Sequence, residues 1–223
     1  RGITHTITRK NIELPKTGSS GSYLDLGPCS PLYRSGGEPD RTEMEEYNMK
    51  PLEGIKVVDL TTYLAAPTTV RVLGEWGADC VKIESAKGDP ARTQGAVFNM
   101  PYNDEENLAF DVANLNKKFI TLNLKDPKGL EIAYRLLAEA DVFVTNTRTK
   151  SLKKLGLDYD TLKEKFPRLV FAQVLGYGEN GPEKDTAGFD VTCYMARGGV
   201  FGTTVNRGDA PMIPTNGFGD FQV

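Results

Sequence analysis

The fold is decided by residues 55–84, which read IKVVDLTTYLAAPTTVRVLGEWGADCVKIE. Residues 55–60 form an apolar run typical of a buried strand, and residues 79–84 form a second one. Between them, residues 68–76 have helical spacing, with a proline near the first turn and a glycine just past the end. A strand, a helix and a second strand in this order predict the start of a parallel sheet.

The same alternation continues along the chain. Further strands are predicted at residues 119–124, 141–146 and 169–175, and further helices from Pro127 onward and near residues 151–155 and 159–166. Residues 86–115 are predicted to be irregular. The fold class is therefore α/β: a Rossmann-like, mostly parallel sheet with flanking helices, in which ligands bind beyond the carboxyl ends of the strands.

Residues 1–48 differ from the rest of the chain. They are rich in Gly, Ser, Pro and Thr and show no sustained apolar period. Such a composition cannot bury enough apolar surface to form a core. We therefore predict a disordered leader at residues 1–48 and a folded domain at residues 49–223.

Composition excludes several classes of function. A net charge of −3 argues against a nucleic-acid partner, and no apolar run approaches the roughly 20 residues of a membrane span. The three cysteines lack a CxxC spacing, which argues against a metal site or a disulfide framework and favours a cytoplasmic location.

The single histidine, His5, disfavours a Ser-His-Asp mechanism. Residues 57–67 lack a GxGxxG motif, so NAD is not an expected cofactor.

The sequence Gly217-Phe218-Gly219-Asp220 has two interpretations. Glycines let the backbone approach a ligand closely, and a carboxylate held there could attack an acyl group. Glycine and aspartate are also ordinary residues of a surface turn. Local sequence leaves both interpretations open.

Other candidates lie near predicted strand ends. Ala65 leaves room for a ligand at a helix N-terminus, or packs a helix on a strand. Two interpretations are open for three lysines, namely contact with phosphates as point charges or a solvated face. These lysines are Lys117, Lys118 and Lys125. Asn146 offers an amide to a ligand or to a turn.

Taken together, residues 51–222 resemble the class III CoA-transferases, the group of formyl-CoA and carnitine CoA-transferases. The resemblance is carried by the order and spacing of motifs that are weak individually. They are LEGIKVVDL (52–60), LGEWGADCVKIE (73–84), NKK (116–118), ADVFVTN (140–146), GYG (176–178) and GD (219–220). Within the family, GFD (188–190) and ARGG (196–199) are similar to clostridial transferases for 2-hydroxy acids, which serve amino-acid fermentation.

The resemblance implies a mechanism and a set of site residues. Asp220 would be the nucleophile that carries CoA as an aspartyl thioester from an acyl-CoA donor to a carboxylic acid acceptor, expected to be a 2-hydroxy acid. Amides of the loop at Gly217 and Gly219 would stabilise oxyanions. The expected CoA-binding residues are Ala65, Leu64, Leu122, Lys125, Asn146 and Lys154.

The resemblance also sets expectations about assembly. Members of the family are longer, have a second smaller domain and form interlocked homodimers. Because this chain ends just after Asp220, we expect the N-terminal part of the large domain, incomplete relative to the full family fold. The alternative is a non-catalytic CoA-binding module, or a fragment completed by a second polypeptide.

Overall fold

A computed structural model describes residues 50–215 and 217–222, and the predicted leader lies outside them. One sheet contains five strands in the order β3-β2-β1-β4-β5, and every neighbouring pair is parallel. The strands are β1 (Lys56–Leu60), β2 (Asp79–Glu84), β3 (Lys117–Thr121), β4 (Val142–Thr145) and β5 (Val170–Gln173). This arrangement confirms the predicted α/β class. The strand order reverses between β1 and β4, and such a switch point opens a crevice at the carboxyl ends of the strands.

Helices connect the strands and cover the sheet. They are α1 (Ala65–Glu75), a 3-10 helix (Pro90–Phe98), α2 (Leu108–Asp111), α3 (Pro127–Glu139), α4 (Thr149–Leu155), α5 (Tyr159–Lys165), a π-helix (Asp190–Arg197) and α6 (Val200–Thr204). Helix α3 begins as predicted, because the Asp126 side chain accepts a hydrogen bond from the backbone N–H of Lys128 and Pro127 fills the first position.

Two apolar cores lie on opposite faces of the sheet, because successive side chains of a strand point in opposite directions. Val58 packs with Leu137 and Phe143 in the core beneath α3. Its neighbour Val57 packs with Val70 of α1 in the other core. Both faces are therefore covered, as a parallel sheet requires.

Several predicted bounds were wrong. Strand β3 covers residues 117–121 rather than 119–124, because Leu122 donates the last ladder bond to Glu84 and Asn123 turns the chain towards α3. Helix α1 begins at Ala65 rather than Thr68, with Pro67 in its first turn. The segment predicted to be irregular contains the 3-10 helix and α2.

Candidate active site

The candidate site lies at the carboxyl edge of the sheet and includes the turn predicted to carry the nucleophile. Within residues 217–222, the Phe221 N–H donates to the Gly217 carbonyl at 3.1 Å and the Gln222 N–H to the Gly219 carbonyl at 2.9 Å. A methyl group at Gly217 would lie 2.9 Å from Leu64 Cδ1, just before α1. The structure therefore brings Leu64 next to the turn that contains Gly217, Gly219 and Asp220, which lies far from it in sequence.

A second carboxylate, Asp190, holds this turn. Its Oδ1 accepts the Gly219 N–H at 2.7 Å, and Asp190 is itself buried at the start of the π-helix. The Tyr194 ring packs against Gly219 so closely that a methyl group there would overlap it and would lie 2.6 Å from Asp190 Oδ1. Gly219 thus permits a contact between two segments that any side chain would prevent.

The electrostatics of the turn disfavour the ionised form of Asp220. Burial raises the pKa of Asp220 above its usual range, and the nearby Asp190 carboxylate raises it further. Burial also raises the pKa of the Cys193 thiol, which lies in the same region. A half-buried carboxylate beside another carboxylate is a functional candidate on physical grounds.

The loop at residues 61–64, here called the edge loop, connects β1 to α1 and is held by buried charges. Lys82 Nζ donates to the Thr61 carbonyl at 2.7 Å and lies 3.0 Å from Asp89 Oδ2. Asp89 Oδ1 in turn accepts the Tyr63 N–H at 3.1 Å. The Thr61 side chain donates to Asp59 Oδ1 at 2.5 Å. These bonds therefore fix the backbone of the edge loop at the carboxyl ends of the strands.

Asn146, at the end of β4, also contacts the edge loop. Its Oδ1 accepts the Thr62 N–H at 3.0 Å and its Nδ2 donates to the Thr62 carbonyl at 2.8 Å. The predicted amide is thus at the carboxyl edge, where it pairs with a neighbouring loop. Its role in CoA binding stays a prediction.

The remaining predicted CoA residues occupy different environments. Ala65 is half-buried in the first turn of α1. Lys125 and Lys154 are exposed, which leaves their ammonium groups available to an anion. Leu122 is only 7% exposed because it packs in the core beneath α3. Within the described residues, no hydrogen bond or salt bridge between these side chains joins them into one site.

Lys117 was predicted wrongly on both interpretations. Its ammonium is buried 2.9 Å from Asp59 Oδ2. It therefore neither forms part of a solvated face nor is exposed to contact a phosphate. Burial lowers its pKa, and Asp59 opposes that shift. Lys118, by contrast, is exposed and pairs with Asp79 at 2.7 Å.

Two further features border the site. Gly176 and Gly188 are in such close contact that a methyl group on Gly176 would lie 2.5 Å from the Gly188 Cα. The rings of Tyr63 and Phe189 meet edge to face at 6.5 Å, and 44% and 58% of these residues are exposed. The site therefore has an apolar rim formed by residues adjacent to Leu64 and Asp190.

Within residues 50–215 and 217–222, no cluster of three or more His, Cys, Asp or Glu residues could hold a metal ion. In the same part of the chain, no helix is long and apolar enough to cross a membrane.

Comparison with known proteins identifies the family. The sequence model of CoA-transferase family III matches residues 52–223. The chain is 49% identical over 169 residues to (R)-2-hydroxy-4-methylpentanoate CoA-transferase of Clostridioides difficile, covering 76% of this chain and 42% of the relative. It is 50% identical over 177 residues to cinnamoyl-CoA:phenyllactate CoA-transferase of Clostridium sporogenes, covering 79% of this chain and 43% of the relative.

Solved structures agree with this assignment. A CAIB/BAIF family protein from Brucella suis superposes with a TM-score of 0.71 at 35% identity, covering 77% of this chain and 45% of that chain. The chain thus spans less than half the length of the relatives it matches. Because the match covers most of the chain with a shared fold, the chain belongs to CoA-transferase family III.

Proposed function

We propose that this chain carries the nucleophile of a CoA-transferase that moves CoA from an acyl-CoA donor to a carboxylic acid. One observation carries the proposal: Asp220 lies half-buried in a tight turn at the carboxyl edge, with the adjacent amide tied to Asp190. A carboxylate that is partly desolvated and carried on a held backbone is suited to covalent catalysis.

The proposed reaction has two halves. Asp220 attacks the thioester carbonyl of the donor, which forms a mixed anhydride and releases CoA thiolate. The thiolate attacks the aspartyl carbonyl, which forms the aspartyl-CoA thioester and frees the donor acid. The acceptor carboxylate then attacks this thioester and the same steps run in reverse, so that a new acyl-CoA leaves and Asp220 is regenerated. Two exchanges of similar energy replace one difficult transfer.

The geometry supports a positioning role for Gly219. Its N–H is engaged by Asp190, so the predicted oxyanion role of this amide would require Asp190 to release it. We therefore propose that Asp190 and Gly219 hold the turn in place and orient the carboxylate that follows. The raised pKa of Asp220 gives its carboxylate more basic character, while attack still requires its ionised form.

We propose a 2-hydroxy acid with a branched or aromatic side chain as acceptor. Support comes from the two clostridial relatives, whose names give 2-hydroxy-4-methylpentanoate and phenyllactate as substrates. The exposed rings of Tyr63 and Phe189 provide apolar surface beside the turn. Burying an apolar acyl group against such rings is favourable by about 25 cal/mol per Å².

Trapping the covalent intermediate tests the proposal. The full-length protein is incubated with an acyl-CoA and then with hydroxylamine, and the peptides are mapped by mass spectrometry. We expect a hydroxamate on Asp220 that is absent in Asp220→Asn. Asp209→Asn is the matched control, because Asp209 is an exposed carboxylate in the same segment. Normal transfer by Asp220→Asn would contradict the mechanism.

Calorimetry with CoA separates this proposal from the CoA-binding module. Binding without any hydroxamate would favour the module, whereas absence of both would favour a fragment that a second polypeptide completes. A homodimer and a cytoplasmic location also remain predictions. Sedimentation of the full-length protein and fractionation of cells that produce it would test them.

A further inference from the structure

We infer that Asp89 is a positioning residue for this reaction. With the buried ammonium of Lys82, it fixes the backbone of the edge loop and, through that loop, the turn that carries Asp220. The inference rests on the proposed function of Asp220, but its structural part can be tested separately.

Lys82 and Asp89 form a pair with no exposure to solvent. Both side chains are 0% exposed, and Lys82 Nζ lies 3.0 Å from Asp89 Oδ2 and 4.0 Å from Asp59 Oδ2. Two charges removed from water are costly unless they are paired and hydrogen-bonded. Stability alone is a weak reason to keep such a pair, since apolar residues of similar volume often serve as well.

Both members of the pair bind the edge loop. Lys82 donates to the Thr61 carbonyl at 2.7 Å, and Asp89 Oδ1 accepts the Tyr63 N–H at 3.1 Å. Oδ1 also accepts the Ala91 N–H at 2.9 Å, which orients the carboxylate. The pair therefore clamps the loop at two residues, one on each side of Thr62.

The conformation of Tyr63 explains why a clamp is needed. Its φ of 66° lies in the left-handed region, which a bulky non-glycine residue rarely adopts. Such a residue persists only where surrounding bonds determine it, and it is typical of functional sites. Among the described residues, the hydrogen bond to Asp89 is the one that reaches the strained residue directly.

The clamp acts on the next residue, which contacts the turn. Leu64 follows Tyr63 and packs against Gly217, where a methyl group would be only 2.9 Å from Leu64 Cδ1. If Tyr63 relaxes to negative φ, Leu64 moves and Gly217 loses its neighbour. A displacement of about 1 Å at a reacting group can reduce a rate by about 100-fold.

The test compares Asp89→Ala with a matched control, Asp158→Ala. Both substitutions remove a buried carboxylate that accepts hydrogen bonds, but within the described residues Asp158 accepts them from the backbone N–H and the hydroxyl of Thr161 at the start of α5, not from the edge loop. Hydrogen–deuterium exchange reports on the amides of the edge loop, and hydroxylamine trapping reports on acylation of Asp220 in the full-length protein. We expect Asp89→Ala to lose protection of the Tyr63 amide and about 100-fold in acylation rate. Asp158→Ala should keep both.

A conservative variant guards against simple unfolding. Asp89→Asn keeps an oxygen that can accept the Tyr63 N–H, so it should retain protection of that amide and acylate faster than Asp89→Ala. The inference is overturned if the Tyr63 amide stays protected in Asp89→Ala. It is also overturned if Asp89→Ala and Asp158→Ala slow acylation equally. Failure of the proposed function is distinguishable, because then the wild-type protein forms no hydroxamate on Asp220 while exchange still reports on the loop.

Discussion

Gly219→Ala should damage both the stability and the reactivity of the turn. The new methyl group would overlap the Tyr194 ring and lie 2.6 Å from Asp190 Oδ1. Overpacking of this kind costs about 1–3 kcal/mol. Displacement of the turn also breaks the bond from the Gly219 N–H to a charged acceptor, worth about 1.5–3 kcal/mol. Because the surrounding side chains can relax in part, we expect a total near the lower end, about 3 kcal/mol.

Two measurements check this expectation. The melting temperature should fall by about 6–12 °C, at roughly 2–4 °C per kcal/mol for a chain of this size. Acylation of Asp220, followed by hydroxylamine trapping, should slow by about 100-fold because the carboxylate is misplaced.

Gly202→Ala is the control for this experiment. A methyl group at Gly202 would meet nothing within 4 Å, and the residue lies in α6, where alanine is favoured over glycine by about 0.5–1 kcal/mol. It should leave stability and acylation unchanged or slightly improved. The reasoning is refuted if Gly219→Ala behaves like Gly202→Ala in both assays.

Three further predictions concern titration, reactivity and capping. Since the folded-state pKa of Asp220 is raised, this carboxyl costs stability above that pKa, and the cost disappears as the pH falls below the ordinary value of about 3.9. Asp220→Asn should therefore raise the melting temperature at pH 7, and the gain should vanish near pH 3. Burial raises the pKa of Cys80 to about 11, so at pH 8 iodoacetamide should label Cys193 of the native protein before Cys80. Asp126→Ala removes the N-cap of α3 and should cost about 1 kcal/mol, a fall of about 2–4 °C in the melting temperature.

Each of these three has a clear contrary result. A lower melting temperature for Asp220→Asn at pH 7 would mean that the ionised carboxylate stabilises the fold. Equal labelling of the two cysteines would show that the core around Cys80 opens readily. An unchanged melting temperature for Asp126→Ala would show that packing of α3 dominates over its cap.

The elements that could be predicted from sequence have strong local signals. Strand β2 has the predicted bounds because its apolar run is preceded by the glycine turn after α1. Helix α3 begins where Asp126 and Pro127 indicate, since a cap and a first-turn proline act within a few residues. Such signals need no knowledge of the rest of the fold.

The features that sequence reasoning missed depend on distant partners. Lys117 is buried by a carboxylate on β1, and no local pattern distinguishes such a lysine from a solvated one. The bond from the Gly219 N–H to Asp190 joins residues 29 positions apart, a separation that no local pattern reports. Asp190 lies in the GFD motif (188–190). The family resemblance that this motif supports is the one sequence signal that indicates Asp190.

The contact between Gly176 and Gly188 has a consequence for how this protein tolerates change. The backbone passes Gly176 after β5, and at Gly188 it returns to a position beside Gly176. Residues 177–187 thus form an excursion that is closed at its base, and the pairing of Glu183 with Arg197 and the bond from Arg148 to the Asp185 carbonyl tie its second half to the rest of the domain. Doubling the length of a flexible loop costs only about 0.6 kcal/mol. Peptide insertions or affinity tags should be accepted between Gly178 and Gly181, where an added side chain would meet nothing within 4 Å. A side chain at Gly176 or Gly188 would instead push the two backbone segments apart and displace the site.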